Sequence, residues 1–139
     1  MEGMDRFDAH PVRDVTVRSM TAVESGDREG WLSLWADDGI VEDPIGPSAF
    51  DPEGKGHRGR DGIAAFWDNV ISQAPVRFSI RESYAAGNEC ANVGTVTISL
   101  PDGSRAVVEG VYTYRIDDAG KVAALRAYWE EAAMRIEGP

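Results

Sequence analysis

The sequence predicts an α+β fold in which three N-terminal helices pack on one face of a curved antiparallel sheet. Apolar residues recur at helical spacing up to about residue 73, and from residue 76 onward they alternate with polar ones. Helices followed by a run of hairpins favour this layered arrangement over an alternating parallel one. A chain of 139 residues suits one domain, which we place at 11–135 after a flexible segment at 1–10.

Three segments of the first half have helical patterns. Residues 11–25 begin with Pro11, which suits a first helical turn, and Gly26 closes the pattern. Asp27 is a suitable N-cap for a short second helix, and a third helix is expected at about 60–73. The side chains expected to face the core from the second and third helices are Trp31, Leu32, Leu34, Trp35, Ile63, Phe66, Trp67 and Val70.

The strands are expected at 39–43, 76–84, 89–99, 104–116 and 121–131. A loop rich in proline and glycine is expected at 44–60, between the first strand and the third helix. One sheet face is mixed polar and aromatic and carries Arg115, Arg126 and Tyr128. Because such a surface suits a wet contact between proteins, we expect a homodimer through this face.

Composition excludes several functional classes. A net charge of −10 argues against nucleic acid and anionic membranes as partners, and no stretch approaches the ~18 apolar residues of a membrane span. Residues 1–8 do not resemble a signal peptide, so we expect a cytoplasmic protein with Cys90 as an inert, reduced strand residue. No metal-ligand spacing, phosphate-binding loop or nucleophile–histidine pair occurs. We therefore expect no cofactor, and a small neutral ligand as the partner.

The most informative segment, residues 37–46, places Asp43 directly before Pro44 at the end of the first strand. Proline disfavours the helical region for the preceding residue, so Asp43 is extended and points to the same face as Val41. A carboxylate facing an apolar interior has its pKa raised by burial and can act as a general base. An Asp-Pro pair is also a common turn opener, which leaves a purely structural role open.

Several short motifs occur in an order and spacing typical of one known family. They are Gly26-Asp27, Trp35-Ala36-Asp37-Asp38, Val41-Glu42-Asp43-Pro44-Ile45-Gly46, Gly59, Ile63, Phe66, Tyr114-Arg115-Ile116, Asp118-Ala119-Gly120-Lys121-Val122 and Leu125-Arg126-Ala127. The chain thereby resembles bacterial steroid delta-isomerases (ketosteroid isomerases) of the NTF2-like, SnoaL-like superfamily. The resemblance covers most of 12–130 and is interrupted by a longer loop at 47–58. It implies a homodimeric cone in which three helices and a curved sheet enclose a deep apolar pocket.

The resemblance also implies a site. In that family an aspartate moves a proton from C4 to C6 of a 3-keto-Δ5-steroid, while a helix tyrosine and a protonated aspartic acid donate hydrogen bonds to the dienolate oxygen. Asp43 stands at the base position, Ser19 at the tyrosine position and Tyr112 at the acid position. Ser19 either contacts the ligand, or is a small packing residue, or bonds the Val15 carbonyl one helical turn back. Tyr112 either donates to the ligand oxygen or fills the core with its hydroxyl on a backbone group.

The remaining positions that the resemblance assigns to the pocket wall are apolar. They are Trp35, Phe66, Trp67, Leu125 and Trp129. Together they suit a flat hydrophobic ligand, although each is also typical of ordinary core packing, and tryptophans narrow a pocket. The 47–58 loop, with Phe50 and His57, is placed to cover the pocket mouth as a lid. His57 either assists proton transfer or is simply solvated.

Three functions remain open at this stage. The first is an isomerase-like enzyme with Asp43 as proton shuttle, and the second is a binding protein that keeps the cavity without the chemistry. The third is another enzyme on the same fold, such as a dehydratase, cyclase or epoxide hydrolase. Epoxide hydrolysis in this fold needs an arginine between two pocket acids, and both Arg126 and Glu109 are expected to face away. The polar atoms around Asp43 distinguish the first two functions.

Overall fold

A computed structural model describes residues 1–139. The helices are α1 (Pro11–Ser25), α2 (Arg28–Leu32) and α3 (Gly59–Asn69). The strands are β1 (Trp35–Glu42), β2 (His57–Arg58), β3 (Val76–Ala86), β4 (Glu89–Ser99), β5 (Arg105–Ile116), β6 (Val122–Tyr128) and β7 (Arg135–Glu137). Single 3-10 turns occur at Met4–Arg6, Ile71–Gln73 and Glu131–Ala133. The predicted α+β class is confirmed.

One sheet contains all seven strands in the order β2-β1-β6-β5-β4-β3, with β7 paired to β5. The pairs are antiparallel except β1 with β6, which is parallel. The register shifts within the β1–β6, β3–β4 and β5–β6 pairs. Such irregularities bend strands and increase their twist, which curves the sheet around the helices. The inner face of this curved sheet and the helices enclose the core.

The second helix is shorter than its apolar pattern suggests. Asp27 caps it, since its carboxylate accepts a hydrogen bond from the Gly30 amide at 2.9 Å. The prediction that Leu34 and Trp35 lie on this helix is wrong. The Leu34 carbonyl instead accepts from the Val122 amide at 2.8 Å, and Trp35 opens β1 opposite Val122. The backbone groups of Leu34 and Trp35 therefore pair with β6 and are not available for the hydrogen bonds of a longer helix.

Other differences from the predicted elements lie at their ends. The third helix stops at Asn69 and continues as a 3-10 turn, and β6 stops at Tyr128. Strands β2 and β7 were not expected, because segments of two or three residues carry no periodicity. The N-terminal segment packs on the sheet: Met4 is buried in the core, and Arg6 donates to the carbonyl oxygen of Ile80 at 3.1 Å. No helix combines the length and the apolar character needed to cross a membrane.

Candidate active site

Asp43 follows directly on β1 and is held from the end of β6. Its Oδ1 accepts a hydrogen bond from Trp129 Nε1 at 2.6 Å. The amide of Ile45 donates to the carbonyl oxygen of Ala127 at 3.0 Å, which fixes the chain after Asp43 against the same strand. Asp43 Oδ2 accepts no hydrogen bond from the protein, and it keeps some exposure to solvent. One carboxylate oxygen is thus anchored and the other is free to act.

The surroundings of Asp43 favour its protonated form more than water does. Burial raises the pKa of Asp43, and the Trp129 hydrogen bond and the charge of His57 oppose that rise in part. His57 lies on β2 opposite Val41, with its ring centroid 4.8 Å from that of Phe66. It is therefore a half-buried neighbour of the site rather than a solvated loop residue.

Ser19 is buried on α1 and joins a hydrogen-bond chain. Its Oγ lies 2.9 Å from the hydroxyl of Tyr114 on β5, and it accepts from Trp31 Nε1 at 3.1 Å. The alternative in which Ser19 bonds the Val15 carbonyl is therefore wrong. Burial raises the pKa of Tyr114, which keeps its phenol neutral at physiological pH. Sequence reasoning did not assign a role to Tyr114, although strand alternation places it on the same face as Tyr112.

Tyr112 is buried on the inner face of β5, and its hydroxyl donates to the carbonyl oxygen of Val108 at 3.2 Å. This is the arrangement with the hydroxyl on a backbone group. The phenol extends past Gly110, where an added Cβ would lie 2.6 Å from the Tyr128 carbonyl oxygen and 3.4 Å from the Tyr112 hydroxyl. Burial, with a smaller contribution from the Asp43 charge, raises the pKa of Tyr112. Asp43 and Tyr112 are therefore within electrostatic range of each other.

The expected wall residues come together inside the cone. Trp35, Phe66, Trp67 and Leu125 are buried, and Trp129 is half-buried beside them. The ring centroids of Trp31 and Trp35 lie 5.2 Å apart, so the tryptophans fill much of the interior. The indole Nε1 of Trp35 is buried without a hydrogen-bond partner.

The loop and the cleft beside Asp43 form one end of the cone. The Ala49 amide donates to Glu131 at 3.2 Å, while Phe50, half exposed, does not insert into the core. A cleft of about 450 Å³ opens here, and it includes Trp129, the hydrogen-bond donor to Asp43. Its lining residues are Pro44, Ile45, Glu109, Ala127, Tyr128, Trp129, Glu130 and Ala133. Asp43 itself does not line this cleft, which reaches only the Trp129 side chain that holds it.

Charged residues of the outer sheet face form ion pairs with one another. Arg126 Nε lies 3.0 Å from Glu42, and Arg81 lies 2.8 Å from Glu109. The arginine-between-acids arrangement expected of an epoxide hydrolase is therefore not formed around Asp43. Cys90 is buried on β4 as an unpaired thiol. No three His, Cys, Asp or Glu side chains are grouped as metal ligands.

Helices packed inside a curved sheet, with a half-buried carboxylate directly after the first strand, are the features of cone-shaped NTF2-like domains. The chain belongs to the family of the SnoaL-like domain, whose profile matches residues 16–125.

Known relatives agree with this assignment. The chain is 27% identical over 125 residues to a steroid Δ-isomerase of Nocardioides simplex, covering 90% of this chain and 94% of that protein. It is similar to the crystal structure of a Δ5-3-ketosteroid isomerase from a Mycobacterium species, with 42% identity and a TM-score of 0.87 over 92% of this chain and 99% of the other. It is also similar to a Mycobacterium tuberculosis protein crystallised with estradiol-17beta-hemisuccinate. That pair has 33% identity and a TM-score of 0.86 over 91% of this chain and 99% of the other.

Proposed function

We propose that the protein isomerises a 3-keto-Δ5-steroid to its conjugated Δ4 isomer, with Asp43 as the proton shuttle. The observation that carries this proposal is the state of the Asp43 carboxylate. It is half-buried and desolvated enough to have a raised pKa, one oxygen is held by Trp129 at 2.6 Å, and the other accepts no hydrogen bond. Relatives that are named steroid isomerases support the assignment of the reaction.

The reaction needs one group that first accepts and then returns a proton. Asp43 Oδ2 takes the proton from C4, the electrons move toward the C3 oxygen, and the carboxyl group returns the proton to C6. The double bond thereby comes into conjugation and no proton is lost overall. A raised pKa makes Asp43 a stronger base than an exposed aspartate, because its proton affinity lies closer to that of the carbon acid. Trp129 keeps the carboxylate in one orientation during both transfers.

Negative charge develops on the C3 oxygen, and a hydrogen-bond donor must stabilise it. Tyr112 is one candidate, and its hydroxyl would exchange the Val108 carbonyl for the ligand oxygen. We propose Trp35, Phe66, Trp67, Leu125 and Trp129 as the residues that contact the ligand, and Ser19 as a site residue that acts through the Tyr114 hydroxyl, 2.9 Å away. Since most of them are buried against one another, a steroid can enter only if some of these side chains move apart.

A second candidate function is binding of a steroid-like molecule without turnover. It is favoured by the Tyr112 hydroxyl, which is engaged by the backbone and not presented to a ligand. The relative crystallised with estradiol-17beta-hemisuccinate is consistent with this alternative.

Ultraviolet absorbance of the conjugated enone distinguishes the two functions. We expect turnover by the wild type and a loss of ~10²–10⁴-fold in kcat for Asp43→Asn, the range typical of a general base. Glu42→Gln is the matched control, because Glu42 is the adjacent acid but bonds Arg126 on the outer face. Full activity of Asp43→Asn would contradict the shuttle role. A folded wild type that binds the steroid without converting it would favour the binding function.

We also propose that the protein forms a homodimer through the outer sheet face. Arg115 and Tyr128 are exposed there, and Arg126 is partly exposed. Light scattering after size exclusion should give twice the chain mass of 15.1 kDa. Tyr128→Glu, which places a further negative charge on this face, should shift the mass toward the monomer. An unchanged monomer in both proteins would contradict the proposal.

A further inference from the structure

Two tyrosines on the inner face of β5 differ in what their hydroxyl groups bond. The hydroxyl of Tyr112 donates to a backbone carbonyl, so its hydrogen is already used. The hydroxyl of Tyr114 meets only Ser19, at 2.9 Å, and Ser19 is already an acceptor for the Trp31 indole at 3.1 Å. The two phenols are thus equally buried but not equally available.

The hydrogens of this chain can be counted. Trp31 Nε1, Ser19 Oγ and the Tyr114 hydroxyl carry one donor hydrogen each, and two hydrogen bonds join the three groups. The indole N–H can only donate, so its hydrogen belongs to Ser19. In the remaining bond one hydroxyl gives its hydrogen and the other retains one. Whichever way the bond runs, one hydroxyl hydrogen has no acceptor in the protein.

This unmatched hydrogen lies deep inside the molecule. Ser19 is 1% exposed and Tyr114 is 4% exposed. Buried donors nearly always have an acceptor, so one without a partner indicates that a ligand or a water molecule supplies it. A second unmatched donor, Trp35 Nε1, is buried in the same interior, on a ring 5.2 Å from that of Trp31. The deep part of the cone thus has an excess of donors, which suits a ligand with an acceptor oxygen.

We propose that Tyr114, rather than Tyr112 or Ser19, donates the hydrogen bond to the carbonyl oxygen of the ligand. Ser19 and Trp31 are then positioning residues. The chain runs from the indole N–H to Ser19, from the serine hydroxyl to Tyr114, and from the phenol to the ligand ketone. Each bond polarises the next in such a series. This role of Tyr114 rests on the proposed isomerase function and deepens it by naming the donor.

This hydrogen-bond chain explains why α1 can carry Ser19 at the position where the ketosteroid isomerases have a tyrosine. The helix supplies a short hydroxyl that orients, and the strand supplies the long phenol that reaches the ligand. Tyr114 stays a neutral donor because burial, and to a smaller extent the charge of Asp43, raises its pKa. Asp43 therefore lies within electrostatic range of Tyr114, as one site for enolisation requires.

Steady-state kinetics with matched phenol-to-phenyl variants tests the proposal. Tyr114→Phe should lower kcat by ~10²–10³-fold with little change in KM, as expected when one donor to a developing oxyanion is lost. Tyr112→Phe should lower kcat less, and Ser19→Ala should lower it by about tenfold, since Tyr114 remains but is no longer oriented. Tyr84→Phe, on an exposed tyrosine of β3, should match the wild type. A greater loss for Tyr112→Phe than for Tyr114→Phe would overturn the proposal.

Binding of estradiol separates this inference from the isomerase function itself. Its phenol oxygen takes the place of the dienolate oxygen, and binding can be followed by tryptophan fluorescence. Tyr114→Phe should weaken binding at least about tenfold, while Tyr84→Phe leaves it unchanged. If the wild type binds estradiol but converts no steroid, the isomerase proposal fails and the binding ratio alone decides the role of Tyr114. Equal affinities of the wild type and Tyr114→Phe for estradiol would overturn the proposed role of Tyr114. So would a folded wild type that does not bind estradiol. Circular dichroism confirms that each variant is folded.

Discussion

Acidic side chains on the outer face of the sheet pair with arginines, whereas the acidic side chain on the inner side has no basic partner. On the outer face Glu42 lies 3.0 Å from Arg126, and Glu109 lies 2.8 Å from Arg81. On the inner side Asp43 has no arginine or lysine partner and bonds only the indole of Trp129. Glu42 and Asp43 are neighbours in the sequence, so the difference arises from the alternation of side chains along β1.

This difference separates what stabilises the protein from what can carry its chemistry. An exposed ion pair such as that of Arg81 with Glu109 typically contributes about 0–1 kcal/mol. Burial of the Asp43 carboxylate works against folding, as its raised pKa shows. Asp43 therefore makes the free energy of folding less favourable, which is typical of a functional group rather than a structural one.

The largest contrast between the faces should be in packing. Ile80 on β3 is 2% exposed, whereas Ile136 on β7 is 62% exposed. Ile80→Ala should lower the free energy of unfolding by about 2–5 kcal/mol, because it removes buried methyl groups and leaves a cavity. Ile136→Ala should change it by less than about 0.5 kcal/mol. Urea titration of both variants measures the difference, and equal losses would contradict a core confined to the inner face.

The next largest effect concerns the hydrogen bond to Asp43. Trp129→Phe removes the donor that lowers the pKa of Asp43, so that pKa should rise further. Hydrogen bonds to charged groups contribute about 1.5–3 kcal/mol, which corresponds to a rise of roughly one to two pH units. The acid limb of the kcat/KM profile should move to higher pH by that amount. Asp43→Asn combined with Trp129→Phe should show no such limb, and an unshifted limb in Trp129→Phe alone would contradict the pairing.

A smaller effect should separate the two neighbouring acids in stability. Asp43→Asn removes a partly desolvated charge whose pKa is raised on folding, so it should raise the free energy of unfolding at neutral pH. Glu42→Gln weakens the pair with Arg126 and should lower it slightly.

The pH dependence gives the sign of this effect. A carboxyl group whose pKa is raised on folding binds more protons in the native state than in the unfolded state, so the wild type loses stability as pH rises through that window. The advantage of Asp43→Asn should therefore grow from acid to neutral pH. Thermal melts across this range measure it, and an advantage that shrinks as pH rises would contradict the burial of Asp43.

The site residues that the sequence predicts correctly are those whose orientation depends on adjacent residues. Asp43 could be found because a single strand end, a following proline and strand alternation determine where it points. The hydrogen-bond chain through Tyr114 could not be predicted from the sequence. Ser19 and Tyr114 are 95 positions apart, and only the packing of α1 on β5 brings them together. The prediction that Trp35 lies on a helix is wrong for a similar reason. Its apolar neighbours continue the helical pattern, and the pairing with Val122 that decides its conformation is distant in sequence.

The smallest effect should come from the most highly connected charge on the outer face. Glu109 lies 2.8 Å from Arg81 and 3.7 Å from Arg135, and all three side chains are about half exposed. In the Tyr128→Glu background, which weakens the proposed dimer contact, Glu109→Gln should lower the free energy of unfolding by no more than about 1 kcal/mol, because solvent screens exposed pairs. The loss should disappear near 1 M salt, where the Debye length is about 3 Å. A loss above about 2 kcal/mol that persists in salt in this background would contradict the contrast between the two faces, because it would mean that the pairs of Glu109 are not open to solvent even in the monomer.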